Sequence, residues 1–279
     1  MTGGASADTP IYARLMGGDA ATDGRFGRAS VVLVHGIRTS ATMWRGQLAR
    51  LAALGIPARA IDLPGHGARL GERFALEGAR TAIDDAVDAA RSDGGPVLLV
   101  GLSLGGYLAM DAVGRRPDAV DGLVAASAGT LPRGPGLAGY RAIARSIAAL
   151  PDRGRALNDR MTRAFLSPAA ADDVLAGGVA LDVMDEGLAA VGTTDPIAAL
   201  ARYPGPVWLV NGRFDHFRLE ERRFLRACVD GRLVIIPGAT HLVSLVRPDE
   251  FAAVVAGAVA EVERRAGRRT GRGADVARA

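Results

Sequence analysis

The sequence predicts an α/β protein: a mostly parallel central sheet flanked by helices, with a block of helices inserted late in the chain. Three observations carry this expectation. Short apolar runs such as Val31–Val34, Val97–Val100 and Val207–Val210 recur between stretches of helical length and period, and strands that alternate with helices build parallel sheets covered on both faces. The rhythm stops at Leu131 and resumes only at Pro206; about seventy strandless residues far exceed the usual connection of about 2 to 6. With 279 residues, 49% of them hydrophobic, the chain has material for one large α/β core.

Taken in order, Ile11–Met16 is expected as a short antiparallel strand, followed by a Gly/Asp/Ala turn region over 17–27. Val31–Val34 is the next strand, running into His35-Gly36-Ile37-Arg38 and a helix from about Thr42 to Leu54. Strand Ala58–Ile61 ends in Asp62-Leu63-Pro64-Gly65-His66-Gly67, and a helix follows from about Leu76 to Arg91. Strand Val97–Val100 turns sharply at Ser103 into a helix over Leu104–Gly114, and Val120–Ala126 reads as another strand. From Leu131 to about Leu200, Ala-rich helical stretches are broken at Pro132, Pro135, Pro151, Pro168 and Gly177-Gly178, the pattern of an inserted helical cap. Strand Val207–Val210, a helix around Glu220–Cys228, strand Arg232–Ile236, a loop through His241 and a helix from about Pro248 to Arg264 complete the fold. The expected division is a core over 1–130 and 201–263, a cap over 131–200 and a disordered basic tail over 264–279.

Composition excludes several classes of function. The net charge of +4 is concentrated at the end, where six arginines from Arg264 onward face one acid and leave the rest of the chain near neutral. A Gly/Arg/Ala segment without apolar period reads as a disordered terminus in preference to a nucleic-acid-binding arm. All 34 basic residues are arginine, so no lysine is present for Schiff-base chemistry. Cys228 is the only cysteine, which rules out an intrachain disulfide and a cysteine-based zinc cluster. No apolar run nears the roughly 20 residues of a membrane span, and Met1–Pro10 lacks a basic and apolar leader pattern. The expectation is a cytoplasmic protein acting on a small molecule, with no nucleic-acid or membrane partner, no metal and no organic cofactor; oligomeric state stays open.

The chemistry centres on Gly101-Leu102-Ser103-Leu104-Gly105, the G-x-S-x-G spacing of a nucleophile elbow between strand and helix. A serine hydroxyl needs a base to take its proton, and the base needs a carboxylate to hold its tautomer. Of the four histidines, His35 and His66 lie in Gly-bearing loops ahead of the elbow, where backbone bonding is the commoner role, and His216 precedes a helix. His241 follows the final strand at a carboxyl end and can reach the elbow. For the acid, Ser127-Ala128-Gly129-Thr130 offers no carboxylate and Asp230 sits at the wrong end of the last strand, which leaves Asp215 in Asn211-Gly212-Arg213-Phe214-Asp215. The backbone N–H groups of Leu104 and Ile37 are the expected oxyanion donors, each worth roughly 2.7 to 4 kcal/mol of barrier.

Together, Val34-His35-Gly36 with Trp44 beyond, Asp62-Leu63-Pro64-Gly65-His66-Gly67, the elbow through Gly106, Gly212-Arg213-Phe214-Asp215 and His241 resemble the α/β-hydrolase superfamily, the single-domain kind with a helical cap, over about residues 30 to 262. The resemblance implies the α/β-hydrolase fold, a triad of Ser103, Asp215 and His241, and an oxyanion hole at Ile37 and Leu104. A serine nucleophile speaks against the superfamily's haloalkane dehalogenases and epoxide hydrolases, which use aspartate there. The expected activity is that of a carboxylesterase-like or thioesterase-like serine hydrolase, cleaving an ester, thioester or related acyl or C–C bond of a small, largely apolar molecule through an acyl-enzyme. The alternatives are cofactor-free lyase or C–C hydrolase chemistry on the same triad, and a receptor-like ligand-binding protein on the same scaffold. Two positions depart from the family pattern: Thr240 stands where glycine commonly precedes the histidine, and Arg38 replaces the usual small residue after the oxyanion position. Arg38 either binds a carboxylate or phosphate on the ligand, or pairs with a cap acid or turns to solvent. Met161, Phe165, Met184 and Leu188 are expected as pocket wall, or equally as core of the cap.

Overall fold

Apolar residues run almost without interruption through the central strands, as expected where a sheet is covered on both faces. In the computed structural model, which describes residues 29–276, they form β1 (Ser30–Val34), β2 (Ala58–Ile61), β3 (Val97–Leu102), β4 (Gly122–Ala126), β5 (Pro206–Gly212) and β6 (Asp230–Ile236). The strand expected at Ile11–Met16 and the turn region over 17–27 lie outside the described residues. The sheet order is β2-β1-β3-β4-β5-β6, and every pairing in it is parallel. Strand alternation divides the interior in two. Val32, Val34, Leu99 and Leu209 feed one core, and Val31, Leu33, Val100 and Trp208 feed the other.

The first core is closed by α2 (Leu76–Arg91) and α3 (Leu104–Arg115), the second by α1 (Arg45–Ala53) and α11 (Pro248–Val276), which the short α9 (Glu221–Ala227) and α10 (Val243–Val246) precede. The reason is visible in the helix sequences: in α2, Ala79, Ile83, Ala86, Val87 and Ala90 recur at helical spacing and are buried. A 3-10 turn over Ala41–Trp44, capped by the Ser40 hydroxyl, precedes α1. Arg80 grips Asp111 through Nε and Nη2 at 2.9 and 2.8 Å and ties α2 to α3.

Between β4 and β5 stand α4 (Gly134–Ala148), α5 (Arg155–Phe165), α6 (Pro168–Ala176), α7 (Met184–Gly192) and α8 (Pro196–Arg202). Two of these helices open on proline, after Ser167 and Asp195, whose side chains accept the Ala170 and Ala198 amides at 3.4 and 3.0 Å. Proline is favoured in that first turn because its missing N–H has no intrahelical partner to lose. The last helix, α8, returns to the core: Ala199 and Leu200 are buried, and a Cβ on Gly114 of α3 would meet the Ala199 Cβ at 2.5 Å. At the end of the chain α11 does not stop near Arg264 but continues to Val276, where the sequence reading placed a disordered tail. Two of its arginines are paired: Arg265 reaches Glu261, one turn back in the helix, and Asp230 of β6, each at 2.7 Å, and Arg269 lies 3.6 Å from Asp121. No helix among the described residues is long and apolar enough to cross a membrane.

Candidate active site

The carboxyl ends of all six strands face the same way, so the loops after β1, β3, β4, β5 and β6 share one rim. From β1 the chain steps to β2 on one side, then crosses to β3 on the other, and ligands bind at such switch points in open α/β sheets. Here that juxtaposition sets Gly36 against the elbow: a Cβ on Gly36 would lie 3.6 Å from the Ser103 Cβ. The elbow itself is built from absent side chains. A Cβ on Gly101 would come within 2.1 Å of the Gly105 carbonyl oxygen, and one on Gly105 within 2.3 Å of the Val34 oxygen. Ser103 takes φ 55° and ψ −114°, in positive-φ space that L-residues rarely occupy. Its amide donates to the Ala126 oxygen at 2.8 Å, which fixes the turn against β4.

Three side chains from distant parts of the chain meet there. His241 Nε2 lies 3.0 Å from Ser103 Oγ, and His241 Nδ1 lies 3.0 Å from Asp215 Oδ1. With Nδ1–H donated to the carboxylate, the Nε2 lone pair is left to accept the serine proton. The Asp215 carboxylate is wholly buried. Burial pushes its pKa up, but the hydrogen bond and charge of His241 and the Phe217 amide at 2.8 Å outweigh this, so the group stays below its ordinary value. Two of the other histidines hold backbone. His35 Nε2 accepts the Leu63 amide at 3.0 Å while its Nδ1 lies 2.8 Å from the Gly36 oxygen, and His66 Nδ1 lies 3.0 Å from the Pro64 oxygen. His216 lies beside His241, ring centroids 5.3 Å apart, outside this chain of hydrogen bonds.

A cavity of about 280 Å³ opens over Ser103 and His241, with Ile37, Leu104 and Arg38 on its floor. The Leu104 amide is at the first position of α3, where a helix supplies no acceptor of its own. Ile37 and Arg38 occupy the tight turn closed by the Thr39 amide on the Gly36 oxygen at 3.4 Å. Met184 and Leu188 of α7 line the wall, but Met161 and Phe165 do not. Both are largely solvent-exposed, at 48% and 68%, so their expected place in the pocket is corrected. On α5 it is Asn158 and Thr162, four residues apart, that turn to the cavity; Met161 is one residue, about 100° of helix, away from that face.

Sequence reasoning passed over the groups that anchor these loops. Ser127, at φ 53° just past β4 and fully buried, donates its hydroxyl to the His241 carbonyl at 2.6 Å. Glu221, itself buried, holds Arg218 through Nε at 3.0 Å and Nη2 at 2.6 Å, and accepts Asn211 Nδ2 at 2.9 Å. That knot closes the loop that carries Asp215 onto β5. A polar residue at the end of a buried strand, as at Ser127 and Asn211, is the signal that was available for both.

Fold and site together define a parallel α/β protein with a serine, a histidine and an aspartate hydrogen-bonded in series at the sheet rim. The family model described as "Alpha/beta hydrolase family" matches residues 31–254, and the chain belongs to that family. A pimeloyl-[acyl-carrier protein] methyl ester esterase from Neisseria meningitidis is 36% identical over 94 residues, covering 33% of this chain; the match spans 34% of that relative's length. Among solved structures, a thermophilic esterase from Thermogutta terrifontis superposes with a TM-score of 0.66 at 22% identity, covering 85% of this chain and 92% of that one. A peroxisomal alpha-beta-hydrolase from Saccharomyces cerevisiae superposes with a TM-score of 0.66 at 14% identity, covering 85% of this chain and 77% of that one. At these identities the two superpositions speak for the fold alone.

Proposed function

We propose that the protein is a serine hydrolase that cleaves an ester or thioester of a small, largely apolar molecule through an acyl-enzyme. The observation that carries this reading is the run of two 3.0 Å contacts from Asp215 through His241 to Ser103 Oγ. Ser103 Oγ attacks the carbonyl carbon as His241 Nε2 takes its proton, and the oxyanion that forms is held by the Ile37 and Leu104 amides. When the tetrahedral intermediate collapses, Nε2 returns the proton to the departing alkoxide or thiolate. Water then attacks the acyl-enzyme with His241 again as base, releasing the acid and restoring the serine. Asp215 stays ionised throughout and stabilises the imidazolium. The helices α4 to α7 serve as the cap that limits access to the cavity.

The test is turnover of a panel of short esters and thioesters by wild type and Ser103→Ala. The expected result is hydrolysis by the wild type and its loss, by roughly 10³-fold or more, in a variant that keeps its far-UV spectrum and Tm. Rapid labelling of Ser103 by a fluorophosphonate without multiple turnovers would replace this reading with that of a ligand-binding protein on a hydrolase scaffold.

A further inference from the structure

Arg38 is the one permanently charged side chain among the described residues that line the cavity, and its surroundings do not satisfy it. Its Nε and Nη2 are buried and have no hydrogen-bond partner among the described residues. Arg38 forms no ion pair with a cap acid among the described residues, and although the residue is only half-buried, these two nitrogens are shut away from solvent. The backbone supports the placement. Arg38 sits at φ 65°, where glycine is favoured, and its carbonyl accepts the Ala180 amide from the cap side at 3.4 Å. Arg38 is half-buried, and these two nitrogens are stripped of water with no hydrogen bond in return unless something in the working state pairs them.

The chain shows what that edge of an arginine binds. Arg80 holds Asp111, Arg141 holds Asp185 and Arg218 holds Glu221, each through the same Nε and Nη2 pair and each on a carboxylate. We propose that the Nε and Nη2 edge of Arg38 takes a carboxylate of the substrate, so that the preferred ester or thioester belongs to a molecule bearing a second, free carboxylate. This deepens the hydrolase reading above and rests on it for the position of the scissile bond. A carboxylate fits better than a phosphate group: one guanidinium balances one negative charge, and no second arginine among the described residues lines the cavity to meet a dianion. Burial also draws the Arg38 pKa down while Tyr140 and Asp159 draw it back up, so a bound anion would relieve the dominant cost.

The experiment compares kcat/KM for monomethyl adipate with that for methyl hexanoate, which places the carboxylate on the acyl side. A second pair, the hexanoyl ester of 3-hydroxypropanoate against propyl hexanoate, places it on the leaving side. In the wild type, one pair should show a preference for the anionic member of roughly 10- to 100-fold, the yield of a charged hydrogen-bonded pair. In Arg38→Asn, chosen because asparagine tolerates positive φ, that ratio should fall to about one, and in Arg38→Lys to an intermediate value. A wild-type ratio near one in both pairs, or a ratio unchanged in Arg38→Asn, overturns the proposal and leaves Arg38 as a turn residue. Titration of monomethyl adipate and of the 3-hydroxypropanoate ester into Ser103→Ala reads the anion site without turnover. If the wild type cleaves none of these esters and none of the panel of short esters and thioesters, the hydrolase reading fails, and the titration decides the anion site: binding tighter than that of the neutral esters supports it, and equal or absent binding overturns it.

Discussion

Ser103 is held at φ 55° by bonds it does not choose: its amide goes to β4 and its carbonyl receives the Tyr107 amide at 3.1 Å, so the hydroxyl is left facing His241. The position of the imidazole depends in turn on Ser127, whose hydroxyl anchors the His241 carbonyl. Replacing Ser127 by alanine leaves that carbonyl without its donor, a loss of about 1 kcal/mol. In Ser127→Ala, kcat should fall several-fold with KM nearly unchanged, and Tm should drop by a few degrees. A rise in KM at constant kcat would mean that Ser127 shapes the pocket and does not set the ring.

At the scale of elements, the site exists because α3 can approach β1 until Gly105 touches backbone. The Cβ of Gly105→Ala would fall 2.3 Å from the Val34 oxygen and 2.7 Å from the His35 oxygen, and backbone cannot yield as a flexible side chain would. This variant should either fail to accumulate as a monodisperse protein or lose Ser103 labelling by a fluorophosphonate. Gly136→Ala in α4, with open space around its Cβ, serves as the matched control and should be neutral or slightly stabilising by Tm. If Gly105→Ala folds and labels at the wild-type rate, close approach of helix and strand is not what builds the elbow. The same reasoning applies to α8, which lies against α3 only because Gly114 leaves room for Ala199.

For the whole molecule, acid is the sensitive axis. His35 is fully buried between the Leu63 amide and the Gly36 oxygen; burial and the neighbouring His66 lower its pKa from 6.5 to about 3, against a smaller opposing contribution from the Gly36 bond. Between those values the unfolded chain binds a proton that the folded chain refuses, so stability rises with pH across the window and is lost as pH falls from 6.5 toward 3. The slope is at most about 1.4 kcal/mol per pH unit for this group. His66, lowered by burial against the Pro64 bond and Asp62, adds to it in the same direction. Tm should therefore decline from pH 6.5 to pH 4, and more gently in His35→Gln, which keeps one donor and one acceptor; parallel curves would assign the acid sensitivity to other groups.

What the sequence determined by itself was set by local chemistry. Alternating apolar runs specify strands and helices, G-x-S-x-G specifies its own turn, and the order of strands places residues 103, 215 and 241 at carboxyl ends. Tertiary structure decided everything that depends on which way a surface faces or on partners far along the chain. Met161 and Phe165 point outward and Asn158 and Thr162 inward, because a single-residue step rotates a helix face away and no apolar pattern says which side the core will take. Past Arg264 the helix carries ion pairs to Asp230 and Asp121, residues that no local window contains. Ser127 and Arg38 acquired their significance in the same way: one meets a carbonyl 114 residues downstream, and the other has two guanidinium nitrogens buried without a hydrogen-bond partner among the described residues, a condition that only the packed cavity creates.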